Sequence, residues 1–202
     1  MFTPDENVWR KFIKGEFMKI KDVIIATSTY LGVKKIVDYF LDENALIDQT
    51  LQNKIDVMVR LTNLVISELA TGYMPMITSQ QVSGQSKIKI SSLENRLLEV
   101  VSVKDANGNQ IDYKISGEYI DCKKVAEVIN YSFIPPTYDV NQEIECLDGK
   151  ITAGILSFGV LAEYCIVEWR FEEAVMWRER FILAIKEIKK VKNGFIKERA
   201  WQ

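Results

Sequence analysis

Two pairs of carboxylates are the first residues in the sequence whose types and spacing could do chemistry: Glu143 with Glu145, and Glu172 with Glu173. Paired acids can share general acid–base work or hold a divalent cation. Glu172 and Glu173 open a helical stretch, where acids also complement the positive end of the helix dipole. That structural role is the expected one, and neither pair is read as a catalytic site. The chain has no histidine. It therefore lacks the commonest general base, the usual partner of a serine or cysteine nucleophile, and the commonest metal ligand. Cys122, Cys146 and Cys165 form an odd, sparse set without CxxC spacing, which argues against a disulfide framework and a zinc site. Cys165 sits in an apolar helical run and reads as a buried thiol. No GxxxxGK[ST] or GxGxxG loop is present, and Gly84 and Gly108 stand as isolated turn glycines. The expectation is a protein without catalytic residues, metal ligands or a cofactor.

Binding chemistry is better represented. The net charge is −2, yet residues 178–202 carry eight basic and three acidic side chains, leaving the remainder at −7. An acidic body with a basic end suggests a segment that seeks a negative surface. Lys186, Lys189, Lys190 and Lys192 recur at helical spacing, as a solvated helix end or as a contact to acidic protein or DNA. Beyond them lie Phe195, Ile196, Lys197, Arg199 and Trp201. Two aromatics here would sit in water unless covered, by a partner or by docking back on the body; Trp and Arg are frequent interface anchors, which favours the partner. These five residues are the expected partner-binding set. Trp9 and Phe12 near the other end also call for burial, and with Lys189 and Lys190 they are candidate contacts to a neighbouring subunit or partner.

The elements that must position these residues follow from periodicity. Apolar residues recur at three and four over residues 19–31, 34–41, 48–71, 152–168 and 171–192, which predicts helices. In residues 152–168, Ile155, Leu156, Val160, Leu161, Tyr164 and Val167 are expected on one side, with Gly154, Gly159 and Ala162 permitting close helix contact. The pattern slips at residues 168–170, as a tight helix–helix turn requires. Between the third and fourth helices the period changes towards two. Strands are expected near residues 87–90, 97–104, 110–115, 119–122 and 125–133, with Asn107-Gly108 as a type I′ hairpin turn and Pro135-Pro136 as a stop. The fold class is α+β: a helical bundle body over 18–73 and 150–192, a small antiparallel β insert over 74–149, an N-terminal extension over 1–17 and an extended anchoring tail over 193–202. The longest apolar runs are four or five residues, as at 23–26, far short of the roughly 20 that a membrane span needs. The polar start, MFTPDENVWRKFIKGEF, does not fit a secretory signal.

The order of elements and several stretches resemble the head-to-tail adaptor (connector) proteins of tailed bacteriophages. The stretches are MKIKDVIIATSTYLG, IDVMVRLTNLVISELATGYMPM, SSLENRLLEVVSVKDANGNQIDYKI, INYSFIPP and ITAGILSFGVLAEYCIVEWRFEEAVMWRERF, with a basic end closing on Arg199-Ala200-Trp201. The resemblance spans residues 18–201. It implies a structural, non-enzymatic subunit of the virion neck, forming a ring of twelve copies beneath the portal. The C-terminal segment would reach onto the portal protein, a further neck or tail protein would dock below, and DNA would pass through without sequence-specific binding. Within the same class the alternative is a stopper or tail-completion protein. In a different class it is a small DNA-binding module using the basic C-terminus, against which the acidic remainder argues.

Overall fold

The computed structural model describes residues 18–42, 46–145, 147 and 149–193. The fold is α+β, with five α-helices and one five-stranded antiparallel sheet among those residues. It divides into two compact units, Met1–Val65 with Tyr138–Gln202, and Ile66–Thr137.

The first unit is helical. Helix α1 (Ile20–Leu31) buries Ile20, Val23, Ile24 and Thr27, while Leu31, the remaining apolar residue at the expected helical spacing, is only half-buried. The Lys19 N–H donates to Asp22 Oδ2 at 2.8 Å, satisfying an otherwise orphan donor at the helix start. Gly32 ends the helix at φ 71°, a conformation open to glycine at little steric cost. Helix α2 (Lys34–Leu41) buries Ile36. Helix α3 (Gln49–Glu68) starts under Asp48, whose Oδ1 accepts the Leu51 N–H at 2.8 Å. It buries Ile55, Met58, Thr62 and Val65.

Helices α4 (Ala153–Val167) and α5 (Phe171–Asn193) complete this unit. The Thr152 hydroxyl caps α4 by accepting the Ile155 N–H at 3.3 Å. Ala153, Leu156, Ser157, Gly159, Val160, Leu161, Ala162, Tyr164 and Cys165 are all buried. The expected one-sided stripe is therefore corrected: α4 is enclosed nearly all round, Ile155 is only half-buried, and Val167 is exposed. A helix apolar on every face has no solvent side to keep. A Cβ on Gly159 would lie 2.8 Å from Val65 Cγ1 and 3.3 Å from Phe181 Cδ2, so only glycine allows α3 and α5 to approach α4 this closely. Helix α5 buries Ala174, Phe181, Ile185 and Ile188 and exposes the rest of its surface more freely.

Residues 138–144 return to the helices. Asn63 brackets Tyr138 with two hydrogen bonds, Nδ2 to its carbonyl at 2.9 Å and Oδ1 from its N–H at 2.7 Å. The Lys21 N–H donates to Val140 O at 2.8 Å, and the Ile144 N–H to Met18 O at 2.8 Å. These bonds draw the end of the expected insert, 138–149, into the helical unit. At the other end the sheet unit starts at Ile66 rather than near residue 74. Buried Ile66, Leu69 and Ala70 continue α3 into a π-helical turn, Leu69–Tyr73, which lies against the last strand.

The second unit is the sheet: β1 (Met76–Lys89), β2 (Arg96–Lys104), β3 (Gln110–Ile111), β4 (Tyr113–Ser116) and β5 (Tyr119–Ile134), in the order β1-β5-β2-β3 with β4 also beside β5. Several expectations change here. β1 begins at Met76, well before Lys87, because its first half is a polar run, TSQQ, that apolar alternation cannot reveal. Ser83 and Gly84, both at positive φ, interrupt it as a bulge opposite β5. The two strands expected at 119–122 and 125–133 are one, passing through exposed Lys123 and Lys124. The strand expected at 110–115 is broken at Asp112, which pairs with Lys123 at 2.8 Å. The hairpin turn is not type I′, since Gly108 is at φ 80° but Asn107 is not at positive φ. Asp105 organises it instead, its Oδ1 accepting the N–H groups of Asn107 and Asn109. Tyr131, fully buried, accepts the Asn95 N–H at 3.2 Å and donates to Gln80 Oε1 at 3.1 Å, joining β5 to β1 and to the connection before β2.

Candidate interaction surface

The exposed surface of α5 brings together the charged residues singled out in the sequence. Its first turn carries Glu172 and Glu173; its last described turns carry Lys186, Lys189 and Lys190, all exposed. This polarity matches the helix dipole. Lys190 Nζ lies 2.6 Å from Glu187 Oε1. Such an exposed pair adds little stability. Phe195, Ile196, Lys197, Arg199 and Trp201, and likewise Trp9 and Phe12, lie outside the described residues.

One member of each acidic pair is engaged locally. Glu173 forms a two-pronged ion pair with Arg170, and the same hydrogen bonding raises the affinity of Arg170 for its proton. Glu143 lies 3.7 Å from Lys19. Among the described residues no three acids or cysteines gather as a metal-holding group. Cys165 is buried, and burial pushes its thiol pKa up. Cys122 is partly buried, and desolvation with nearby Asp121 pushes it up too. Both shifts disfavour the thiolate that a nucleophile needs. Cys146 lies outside the described residues. No described helix is long and apolar enough to cross a membrane.

Two features escaped the sequence reading. The first is an aromatic cluster. Trp177 of α5 stacks on Phe158 of α4 at 5.8 Å, Tyr30 of α1 closes on both at 5.3 and 5.7 Å, and the Arg180 guanidinium lies 4.9 Å over the Trp177 ring. Its members are distant in sequence, so only packing brings them together. The second is the state of Trp169 within the expected α4–α5 turn, 81% exposed at φ 60°. The Arg170 N–H donates to Cys165 O at 2.7 Å and the Trp169 N–H to Ile166 O at 3.1 Å. This is a Schellman helix end with tryptophan where glycine is usual. A turn written Glu-Trp-Arg, without glycine, was the signal available in the sequence.

No protein-family model matches the sequence, and no curated protein matches it.

Proposed function

We propose that the chain is a structural, non-enzymatic subunit of a tailed-bacteriophage neck, a head-to-tail adaptor whose ring joins the portal to the tail and lets DNA pass. The observation that carries this reading is the exposed basic end of α5, Lys186, Lys189 and Lys190, leading directly into the sequence Phe195–Trp201. A charged helix end followed by an aromatic-basic strip suits an anchor on an acidic protein surface. The sheet unit placed between α3 and α4 agrees with the order of elements in the resembling adaptors. The local ion pairs of Glu143 and Glu173 favour a structural over a catalytic role for the acids.

The test is docking on portal-containing heads. The full chain should bind, and a chain lacking residues 194–202 should not, with Trp201→Ala and Arg199→Ala each giving part of the loss. Equal docking by the truncated chain would remove the tail as the anchor. The exposed lysines also favour a second reading, a DNA-binding module. Binding to duplex DNA that falls steeply with salt, without binding to heads, would replace the adaptor reading with that one.

A further inference from the structure

Around the α4–α5 turn the structure leaves apolar side chains in water together. Trp169 is 81% exposed, and Ile166, Val167, Phe171 and Val175 are each about half exposed. The Trp169 and Phe171 rings meet edge to face at 5.9 Å. Each alone is ordinary; five within one turn and its flanks make a patch of the kind that marks a contact surface. The backbone adds an independent sign. Trp169 is held in the left-handed region at φ 60°, although glycine would serve this helix end without strain. A large aromatic kept in a strained, exposed position points to a role for the ring itself. The patch is rimmed by exposed Glu168 and Glu172, and residues 168–179 carry a net charge of −2.

The complement lies on the same helix. Leu183 is 59% exposed and is flanked at helical spacing by exposed Arg180, Lys186 and Lys190, and by exposed Glu179 and Glu187. Residues 180–193 carry a net charge of +4. One end of α5 thus offers an apolar tip with an acidic rim, and the other an apolar residue in a half of the helix with net positive charge. The two ends lie about 20 Å apart along the helix axis at 1.5 Å per residue. They are too distant to satisfy one another, and far enough apart for one protomer to use both at once.

We propose that the α4–α5 tip of one copy docks on the basic half of α5 in a second copy of this chain. Trp169 and Phe171 cover Leu183, and Glu168 and Glu172 face Lys186 and Lys190. The contact is heterologous, joining unlike surfaces, so its repetition closes a ring or extends a filament. The proposal rests on the adaptor reading for the closed ring, but not for the contact itself.

The experiment uses the full chain in sedimentation velocity over a concentration series at low and high salt. The wild-type chain should self-associate, less so at high salt. Trp169→Gly should melt at the same temperature or higher, because strain is relieved, while association weakens by about ten-fold or more, as for loss of an interface anchor. Glu172→Lys should weaken association, and adding Lys186→Glu should restore it. Four results would overturn the proposal. Trp169→Gly could associate as wild type does, or the double charge exchange could fail to recover. Trp169→Gly could instead lower the melting temperature and leave association unchanged, meaning the ring is covered from within its own chain. A wild-type chain that stays monomeric throughout also sinks it and assigns the tip to a different protein. Monomers that still dock on portal-containing heads would remove this contact and leave the adaptor reading standing. Assembling chains that do not dock would do the reverse.

Discussion

Helices α4 and α5 are joined by one tight turn and pack on each other, yet they are built on opposite plans. In α4 small and large apolar residues alternate around the whole circumference, and Gly159 lets neighbours close in on both sides. In α5 a single stripe, Ala174, Phe181, Ile185 and Ile188, is buried, while Val175, Met176 and Leu183 stay in water among charges. The difference teaches where the constraint lies. A residue in α4 answers to several neighbours at once, whereas about half of the described side chains of α5 are exposed to solvent. The second helix is free to be shaped by what it meets outside.

The largest effect that could break this comparison is the truncation of matched leucines. Leu156→Ala, at a fully buried site of α4, should cost about 2–5 kcal/mol in denaturant unfolding. Leu183→Ala, on exposed α5, should stay within about 0.5 kcal/mol of wild type. Similar losses from both would mean that α5 is covered within its own chain, and the contrast would collapse.

A smaller effect sharpens the picture inside α4. Gly159→Ala puts a methyl 2.8 Å from Val65 Cγ1 and should destabilise by about 1–3 kcal/mol. Gly154→Ala is the control. Its Cβ would meet only Thr152 Oγ1, at 3.7 Å, so the change should be neutral or stabilising by up to about 1 kcal/mol. Thermal melts of the two variants that shift together would show that close approach is not why Gly159 is glycine.

The smallest expected effects concern charge. Arg178 Nη1 lies 3.4 Å from Glu163 Oε1 in a partly buried pair between α5 and α4, so Glu163→Gln should cost up to about 1 kcal/mol. Lys190→Ala removes an exposed pair with Glu187 and should leave the melting temperature unchanged. A clear destabilisation by Lys190→Ala would assign that lysine to folding rather than to a partner.

Much of the fold was legible where one rule dominates locally. Apolar recurrence at three and four over residues 19–31 announced α1. The helix–helix turn at 168–170 showed as a slip in the apolar pattern. Legibility failed where neighbours override local preference. β1 was half missed because Thr78, Ser79, Gln80 and Gln81 are held in a strand by pairing with β5, not by an apolar face of their own. The hairpin turn was mistaken because Asp105 supplies hydrogen bonds that select another turn from the one Asn-Gly favours alone. Of the candidate contact residues, Lys189 and Lys190 proved exposed at the end of α5, while the exposed Trp169 tip went unread.

By itself the sequence determined the α+β class, the helical segments flanking a β region, the lack of histidine chemistry and the concentration of basic residues towards the C-terminus. Those properties depend on composition and on periods of two and 3.6, which each segment carries alone. Only the tertiary structure decided that α4 would be enclosed nearly all round, that residues 138–144 would bond back to α1 and α3, and that Trp169 would be left outside in a strained turn. Burial and unpaired surface are properties of what a residue meets, and those encounters link positions far apart along the chain.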